Sequence, residues 1–138
     1  PWGWEHLGRV YAQQGDQAEA EKAYRRALAL NPHRELAQLW LGQLLISQGK
    51  KKEAQKHLKA FHRIRDLNTR EYNLLQAVSR YAYDPQRLVA ILVELARVRA
   101  SLGRYRQALV PLDRALRLAP EDPRLKVLYE KIRSRAGM

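Results

Sequence analysis

The segment WEHLGRVYAQQG, residues 4–15, returns in altered form twice further along the chain. LWLGQLLISQG occupies residues 39–49, and LVELARVRASLG occupies residues 92–103. The interval from Leu7 to Leu41 is the same as that from the final glycine of the first copy to the final glycine of the second. A fixed period of this size is typical of stacked repeats. The third copy follows the second after a longer interval, so one period plus an extra segment separates them.

The composition favours helices. The chain has 138 residues, 46% of them hydrophobic, with only 7 glycines and 6 prolines, and Ala, Leu, Arg and Gln are abundant. These residues are strong helix formers, so we expect a single all-α domain. No apolar run reaches the roughly 18 residues of a membrane span, and no signal-like leader is present. The sequence is interpreted as that of a soluble protein whose compartment is open, with the cytoplasm favoured.

The charge and the cysteine count limit the chemistry. With 26 basic and 14 acidic residues the formal net charge is +12, which favours anionic partners without identifying them. The absence of cysteine excludes disulfides, thiolate metal sites and thiol nucleophiles.

Helical periodicity defines the first repeat. Residues 2–14 place apolar and small side chains at the i, i+3, i+4, i+7 spacing of one helix face. Residues 17–30 repeat the spacing, and Pro32 ends this helix because the residue before a proline is pushed out of the helical conformation. Two antiparallel helices approach closely only where small side chains stand at their crossing, which is where Gly8 and Ala20 lie. The sequence therefore predicts helix–turn–helix pairs.

The spacing of these residues resembles the signature of the tetratricopeptide repeat. The matching residues of the first repeat are Trp4, Leu7, Gly8, Tyr11, Gly15, Ala20, Tyr24, Ala27 and Pro32. The resemblance implies an all-α, right-handed α-α superhelix, or solenoid, and the residues outside the repeats predict an inserted helix and a C-terminal capping helix. The implied segments are repeats at residues 1–34, 35–66 and 86–122, an inserted helix at 67–85 and a capping helix at 123–135. The third repeat departs from the pattern at Arg99, which stands in a large apolar place and predicts looser packing of its first helix.

The extra segment is LNTREYNLLQAVSRYAYDPQ, residues 67–86. Asn68 and Glu71 suggest a capping box that starts a new helix, and Asp84-Pro85 supplies a stop. The residues at helical spacing are Tyr72, Leu75, Val78 and Tyr81. The alternative is that this segment prolongs the helix beginning near Lys51. We favour two helices joined by a kink or short turn, which predicts an interrupted groove.

The two ends of the chain differ. Residues 123–135 present one apolar face and basic residues elsewhere, which is typical of a capping helix. The apolar residues of that face are Leu125, Leu128, Tyr129 and Ile132. Trp2 and Trp4 have no preceding helix to cover them, which suggests missing upstream repeats or another cover.

Catalytic and metal-binding motifs are absent from the sequence. It contains no Gly-rich phosphate loop, no HExxH pair and no serine near a plausible histidine and carboxylate. His57 and His62 are not at the i, i+4 spacing of a metal-binding pair and diverge on a helix, whereas His6 and His33 belong to different helices. We interpret the histidines as solvated and predict a protein that is not an enzyme and needs no cofactor or metal.

The tetratricopeptide resemblance also implies a groove lined by the first helix of each pair. The groove residues it assigns are Trp2, Glu5, His6, Arg9, Gln13, Leu36, Leu39, Trp40, Gln43, Ser47, Glu94, Arg97 and Ser101. Trp40 is the predicted anchor because no signature place requires a tryptophan there, and aromatic residues beside arginine are frequent interface anchors. The alternative is that Trp40 packs beneath the extra helix or against a neighbouring repeat.

Two features indicate the kind of ligand. Chaperone-binding members of the family clamp a terminal carboxylate with lysines, asparagines and an arginine, a set that is absent here. The corresponding places hold Glu5, Arg9, Trp40, Ala90 and Glu94. Leu36, Leu39 and Trp40 instead favour an amphipathic helix or an apolar peptide from another protein.

A basic run provides a second hypothesis. Residues 50–70 contain eight Lys or Arg against Glu53 and Asp66, a net charge of +6. The residues that form one helix stripe, opposite Ala54, Leu58 and Phe61, are Lys52, Lys56, Lys59 and Arg63. This basic stripe is either a solvated outer face or an electrostatic docking surface for acidic protein or nucleic acid. A third hypothesis is a structural or self-associating role through the Trp2 and Trp4 end or the extra helix.

Overall fold

The protein is all-α, as the sequence predicts. The computed structural model describes residues 2–138, and the side chains from residue 3 onward. These residues form seven helices and no strand. The helices are α1 (Trp2–Gln13), α2 (Gln17–Leu30), α3 (Glu35–Ser47), α4 (Lys51–Arg80), α5 (Pro85–Ser101), α6 (Tyr105–Leu118) and α7 (Pro123–Arg135).

The recurring glycine ends the first helix of each pair. Gly15, Gly49 and Gly103 have φ angles of +81°, +78° and +73°, a left-handed conformation that strains other residues. After Gly15, the side chain of Asp16 caps α2 by accepting a hydrogen bond of 3.2 Å from the backbone N–H of Glu19. The motif therefore recurs because each helix hairpin needs the same tight turn.

One compact unit comprises residues Pro1–Asp66. Small residues stand at its helix crossings: a Cβ atom at Gly8 would lie 2.6 Å from Cε1 of Tyr24, and one at Gly42 would lie 2.8 Å from Cδ2 of Leu58. Both distances are shorter than a Cβ atom tolerates, so glycine at these positions permits a close helix crossing that a larger residue would block. The buried core consists of Ala20, Tyr24, Leu41, Leu44, Leu45 and Ala54.

The other compact unit comprises Leu67–Met138 and contains the hairpin of α5 and α6. Helix α7 occupies residues 123–135, as predicted, and buries Leu125 and Ile132 while leaving Leu128 and Tyr129 half-buried. The buried core consists of Leu88, Leu92, Ala96, Ala108, Leu109, Leu112, Ala115, Leu125 and Ile132.

The predicted separate inserted helix is wrong. Helix α4 is a single helix of 30 residues that runs through the expected break at Asn68-Thr69 to Arg80. Neither residue is a strong helix breaker, and neither glycine nor proline occurs between Lys51 and Asp84, so nothing interrupts the backbone hydrogen bonds. The alternative of a prolonged helix is the one observed.

Asn68 and Glu71 do not form a capping box. The Glu71 carboxylate accepts hydrogen bonds of 2.9 Å from Nε of Arg99 and 2.9 Å from Nη1 of Arg104, and Arg104 also contacts Oδ1 of Asn68 at 3.3 Å. Asn68 and Glu71 therefore face Arg99 and Arg104. Tyr72, which was predicted to lie on an apolar face, is 64% exposed. Arg99 stands where the repeat has a large apolar residue, and there its guanidinium donates hydrogen bonds to the Glu71 carboxylate and to the Gln107 carbonyl.

Candidate partner-binding faces

In the first unit, Trp40 of α3 is half-buried. Its ring centroid lies 6.1 Å from that of His6, edge to face, and 6.1 Å from that of Tyr24. The guanidinium carbon of Arg9 lies 5.0 Å from the ring centroid, which is a cation–π distance. Trp40 thus packs against the preceding helix pair, as the alternative interpretation expected, while part of it stays accessible.

Glu5 is not an open groove residue. It is only 5% exposed, and its Oε1 lies 3.0 Å from Nη2 of Arg34 and 3.9 Å from Nδ1 of His6. Burial of a carboxylate requires such a partner. Glu5 therefore joins the start of α3 to α1 and has no free face for a ligand.

The other predicted groove residues of this unit differ in accessibility. Leu36 is 42% exposed, Leu39 is half-buried, and Gln13, Gln43 and Ser47 are exposed. The Ser47 hydroxyl donates locally to the Leu44 carbonyl at 2.6 Å. The Trp2 side chain lies outside the described residues. We use the name Trp40 face for Arg9, Leu36, Leu39, Trp40 and Gln43.

In the second unit, Arg97 and Ser101 lie together and Glu94 does not join them. Arg97 and Ser101 line a cavity of about 450 Å³ between α5 and α7. Glu94 instead forms an ion pair with Arg70 of α4. Arg97 and Ser101 thus line an open cleft, whereas Glu94 is held in an ion pair at the surface.

The basic stripe lies on α4 as predicted. Lys52, Lys56, Lys59 and Arg63 are exposed, whereas Ala54 and Phe61 are buried. Within residues 3–138 the four cations have no ion-pair partner. The stripe is therefore available to a counter-charge.

The prediction of solvated histidines is wrong for His57. Nδ1 of the half-buried His57 lies 2.8 Å from Oε1 of Gln38, whose amide donates a 2.9 Å bond to the Pro32 carbonyl. Since Oε1 can only accept, Nδ1 carries the proton in this arrangement. Burial lowers the pKa of His57, and the positive charges of Arg25 and Lys56 lower it further.

This shift predicts that stability depends on pH below about pH 6.5. The unfolded histidine takes up a proton around pH 6.5, whereas native His57 does so at lower pH, so the unfolded state binds more protons between these values. The melting temperature should be highest above that range and should fall as the pH decreases through it. His57→Asn keeps a donor at the Nδ1 position, cannot titrate and should flatten the fall. The same substitution at exposed His62 should leave the fall unchanged, and an unchanged profile in His57→Asn would contradict the assignment.

Two other kinds of site are absent from the described residues. No group of three or more His, Asp or Glu side chains in this part of the chain is placed to hold a metal ion. Within residues 2–138, none of the helices combines the length and apolar character that a membrane crossing requires.

Comparison with known families decides the repeat assignment. Two families described as tetratricopeptide repeat match the chain, one over residues 1–34 and the other over residues 36–64. The chain is a tetratricopeptide repeat protein. None of the curated proteins matches it significantly in sequence.

Several solved structures resemble this tetratricopeptide repeat protein. MamA is 18% identical, with 95% of this chain and 85% of that chain covered and a TM-score of 0.47. PilF of Pseudomonas aeruginosa is 21% identical, with 94% and 66% covered and a TM-score of 0.43. The type III secretion translocator chaperone SycD of Yersinia enterocolitica is 16% identical, with 99% and 85% covered and a TM-score of 0.45.

Three residues with structural roles in the first unit of this tetratricopeptide repeat protein were not among the predicted site residues. Arg34 binds Glu5, Gln38 orients His57, and Tyr24 supports Trp40. Arg34 and Gln38 are not signature places of the repeat, so their partners depend on contacts between helices. Tyr24 is a signature place and offered a signal, because such a residue packs beside the first helix of its own repeat.

Proposed function

We propose that this protein is a non-enzymatic scaffold that binds a partner peptide or helix on the Trp40 face. Its membership of the tetratricopeptide repeat family supports the role of protein-interaction scaffold. The observation that carries the finer proposal is that Trp40 stays partly exposed beneath the Arg9 guanidinium. Partly buried aromatics beside arginine are frequent anchors of protein interfaces.

The neighbours of Trp40 suggest the chemistry of the partner. Leu36, Trp40 and Gln43 follow the i, i+4, i+7 spacing of one face of α3, with an exposed leucine at one end and an exposed amide at the other. Glu5 forms an ion pair with Arg34, so its carboxylate is not free to bind a ligand at this face. An amphipathic helix or apolar peptide would cover such a surface.

The experiment is a selection from a displayed library of random dodecapeptides, followed by measurement of Kd by fluorescence anisotropy. Trp40→Ala should raise the Kd of the selected peptides by about fivefold or more, which corresponds to about 1 kcal/mol. Because Trp40 also packs against Tyr24, Leu36→Ser is the second variant, and it removes an exposed apolar contact without disturbing that packing. Circular dichroism checks that both variants keep their helical content.

The matched control is Leu30→Ser on α2, which removes a leucine that is 52% exposed and is not one of the Trp40-face residues. It should leave Kd unchanged. If no peptide is enriched, or if Trp40→Ala and Leu36→Ser bind as tightly as the wild type, the proposal is wrong.

The basic stripe is a second candidate, favoured by four exposed cations without ion pairs among the described residues. The double variant Lys56→Glu/Arg63→Glu belongs in the same binding experiment. If it abolishes binding while Trp40→Ala does not, the stripe rather than the Trp40 face is the docking surface for an acidic partner.

A further inference from the structure

The second unit contains a cleft that runs between α5 and α7, which we call the α5–α7 cleft. Two cavities of about 450 Å³ and 400 Å³ lie along it and share Arg97 and Leu128 in their walls. Each volume is typical of a ligand site, for which the range is about 300–1,000 Å³. The lining positions on α5 extend from Gln86 to Ser101, or about 22 Å of helix. An extended segment of about six or seven residues would span this length.

The charges along the cleft are uneven. The larger cavity is lined by Arg97, Lys131 and Arg135, all exposed and without an ion pair or side-chain hydrogen bond to another described residue. At the other end Arg124 is already paired with Asp122, with 3.4 Å between Nε and Oδ1. Uncompensated positive charge is therefore concentrated at one end.

The floor and walls between these charges are apolar. Buried Ile132 and half-buried Leu128 line the larger cavity, together with half-buried Tyr105. Half-buried Val89 and Val93 line the smaller one. A purely ionic ligand would leave this surface uncovered, so the cleft suits a ligand that carries both an apolar side chain and negative charge.

We propose that the α5–α7 cleft binds an acidic peptide segment of another protein. Carboxylates lie at the end formed by Arg97, Lys131 and Arg135, and an apolar side chain enters the cavity beside Val89 and Val93. Three like charges around one cavity repel each other, and carboxylates that form charge-assisted hydrogen bonds with them replace this repulsion by attraction. The aliphatic walls favour a peptide over nucleic acid, which is bound mainly through phosphates and stacked bases.

This proposal is independent of the Trp40 face. The two surfaces belong to different units. Of the places at which chaperone-binding relatives clamp a carboxylate, only Ala90 lines the cleft, and its side chain has no charge; Arg97, Lys131 and Arg135 lie at other places. Trp40→Ala should therefore leave binding in the cleft unchanged.

The probes are fluorescein-labelled heptapeptides that contain two leucines and three glutamates, with the leucines placed either before or after the glutamates. Counterpart peptides carry glutamine in place of each glutamate. We expect saturable binding of a glutamate peptide to the full chain, with a Kd at least about tenfold lower than that of its glutamine counterpart. The double variant Lys131→Gln/Arg135→Gln should raise that Kd by about tenfold or more. Ser101→Trp should also raise it, because the indole fills the larger cavity without changing the charge.

The matched control is Lys126→Gln, which removes an exposed charge from the same helix α7 outside both cavities. It should change Kd by less than about twofold. The proposal is overturned if glutamate and glutamine peptides bind equally or not at all, or if Lys126→Gln weakens binding as much as Lys131→Gln/Arg135→Gln. It is also overturned if Ser101→Trp has no effect, or if a single-stranded oligonucleotide binds more tightly than every peptide through the same residues.

Discussion

Replacing Glu71 with alanine is expected to lower the free energy of unfolding by about 2–3 kcal/mol. The Glu71 and Arg99 side chains are 16% and 17% exposed, so removing the carboxylate leaves a mostly buried guanidinium without its counter-charge. Arg104 loses the same partner but is more exposed and can turn toward water. Urea denaturation followed by circular dichroism measures the loss.

The control for Glu71 is an ion pair at the surface. Asp113 lies 2.7 Å from Arg117 on α6, but both side chains are more than half exposed, so Asp113→Ala should cost less than about 1 kcal/mol. Equal losses in Asp113→Ala and Glu71→Ala would contradict the importance of the buried network.

A double substitution tests why Arg99 is tolerated at an apolar place of the repeat. In the Glu71→Leu/Arg99→Leu variant the buried charges disappear together, and apolar replacements of buried ion pairs are often neutral. The double variant should therefore be more stable than the sum of the single substitutions predicts.

Replacing Gly8 with leucine is expected to destabilise the first unit by about 1–3 kcal/mol. Already its Cβ would lie 2.6 Å and 2.7 Å from ring carbons of Tyr24 and 3.2 Å from the Ala20 carbonyl oxygen. Tyr24 is fully buried, so its ring cannot move aside without disturbing the contact with Trp40. The loss is expected even though leucine is a better helix former than glycine.

Gly3 provides the control within the same helix. No atom lies within 4 Å of a Cβ built there, so Gly3→Ala should leave stability unchanged or raise it by up to about 1 kcal/mol. If Gly8→Leu were as stable as Gly3→Ala in thermal denaturation, the close crossing of α1 and α2 would be wrong.

The sequence predicted most helix boundaries because local signals carry them. The extent of α2 from residue 17 to 30 follows from Asp16 and Pro32, and that of α7 from Pro123 onward. The same signals misplaced a boundary at Asn68, because a residue that can cap a helix also fits inside one when its side chain has a partner.

The candidate sites were less predictable. Family resemblance assigned Trp40, Arg97 and Ser101 to the first helices of the repeats, and they lie on α3 and α5. It gave no indication that Arg34 closes off Glu5 or that Arg70 pairs with Glu94. The interruption of the groove and binding at its residues stay predictions.

The sequence alone determined the helix pairs, the turn glycines and the small residues at the crossings. These features depend on spacing within one or two helices, where backbone geometry links residue number to direction. Only the tertiary structure decided that Glu71 binds Arg99 and Arg104, and that Arg97, Lys131 and Arg135 line one cavity. The physical reason is that helical spacing determines which side chains share a face, whereas their partners depend on which helix that face meets.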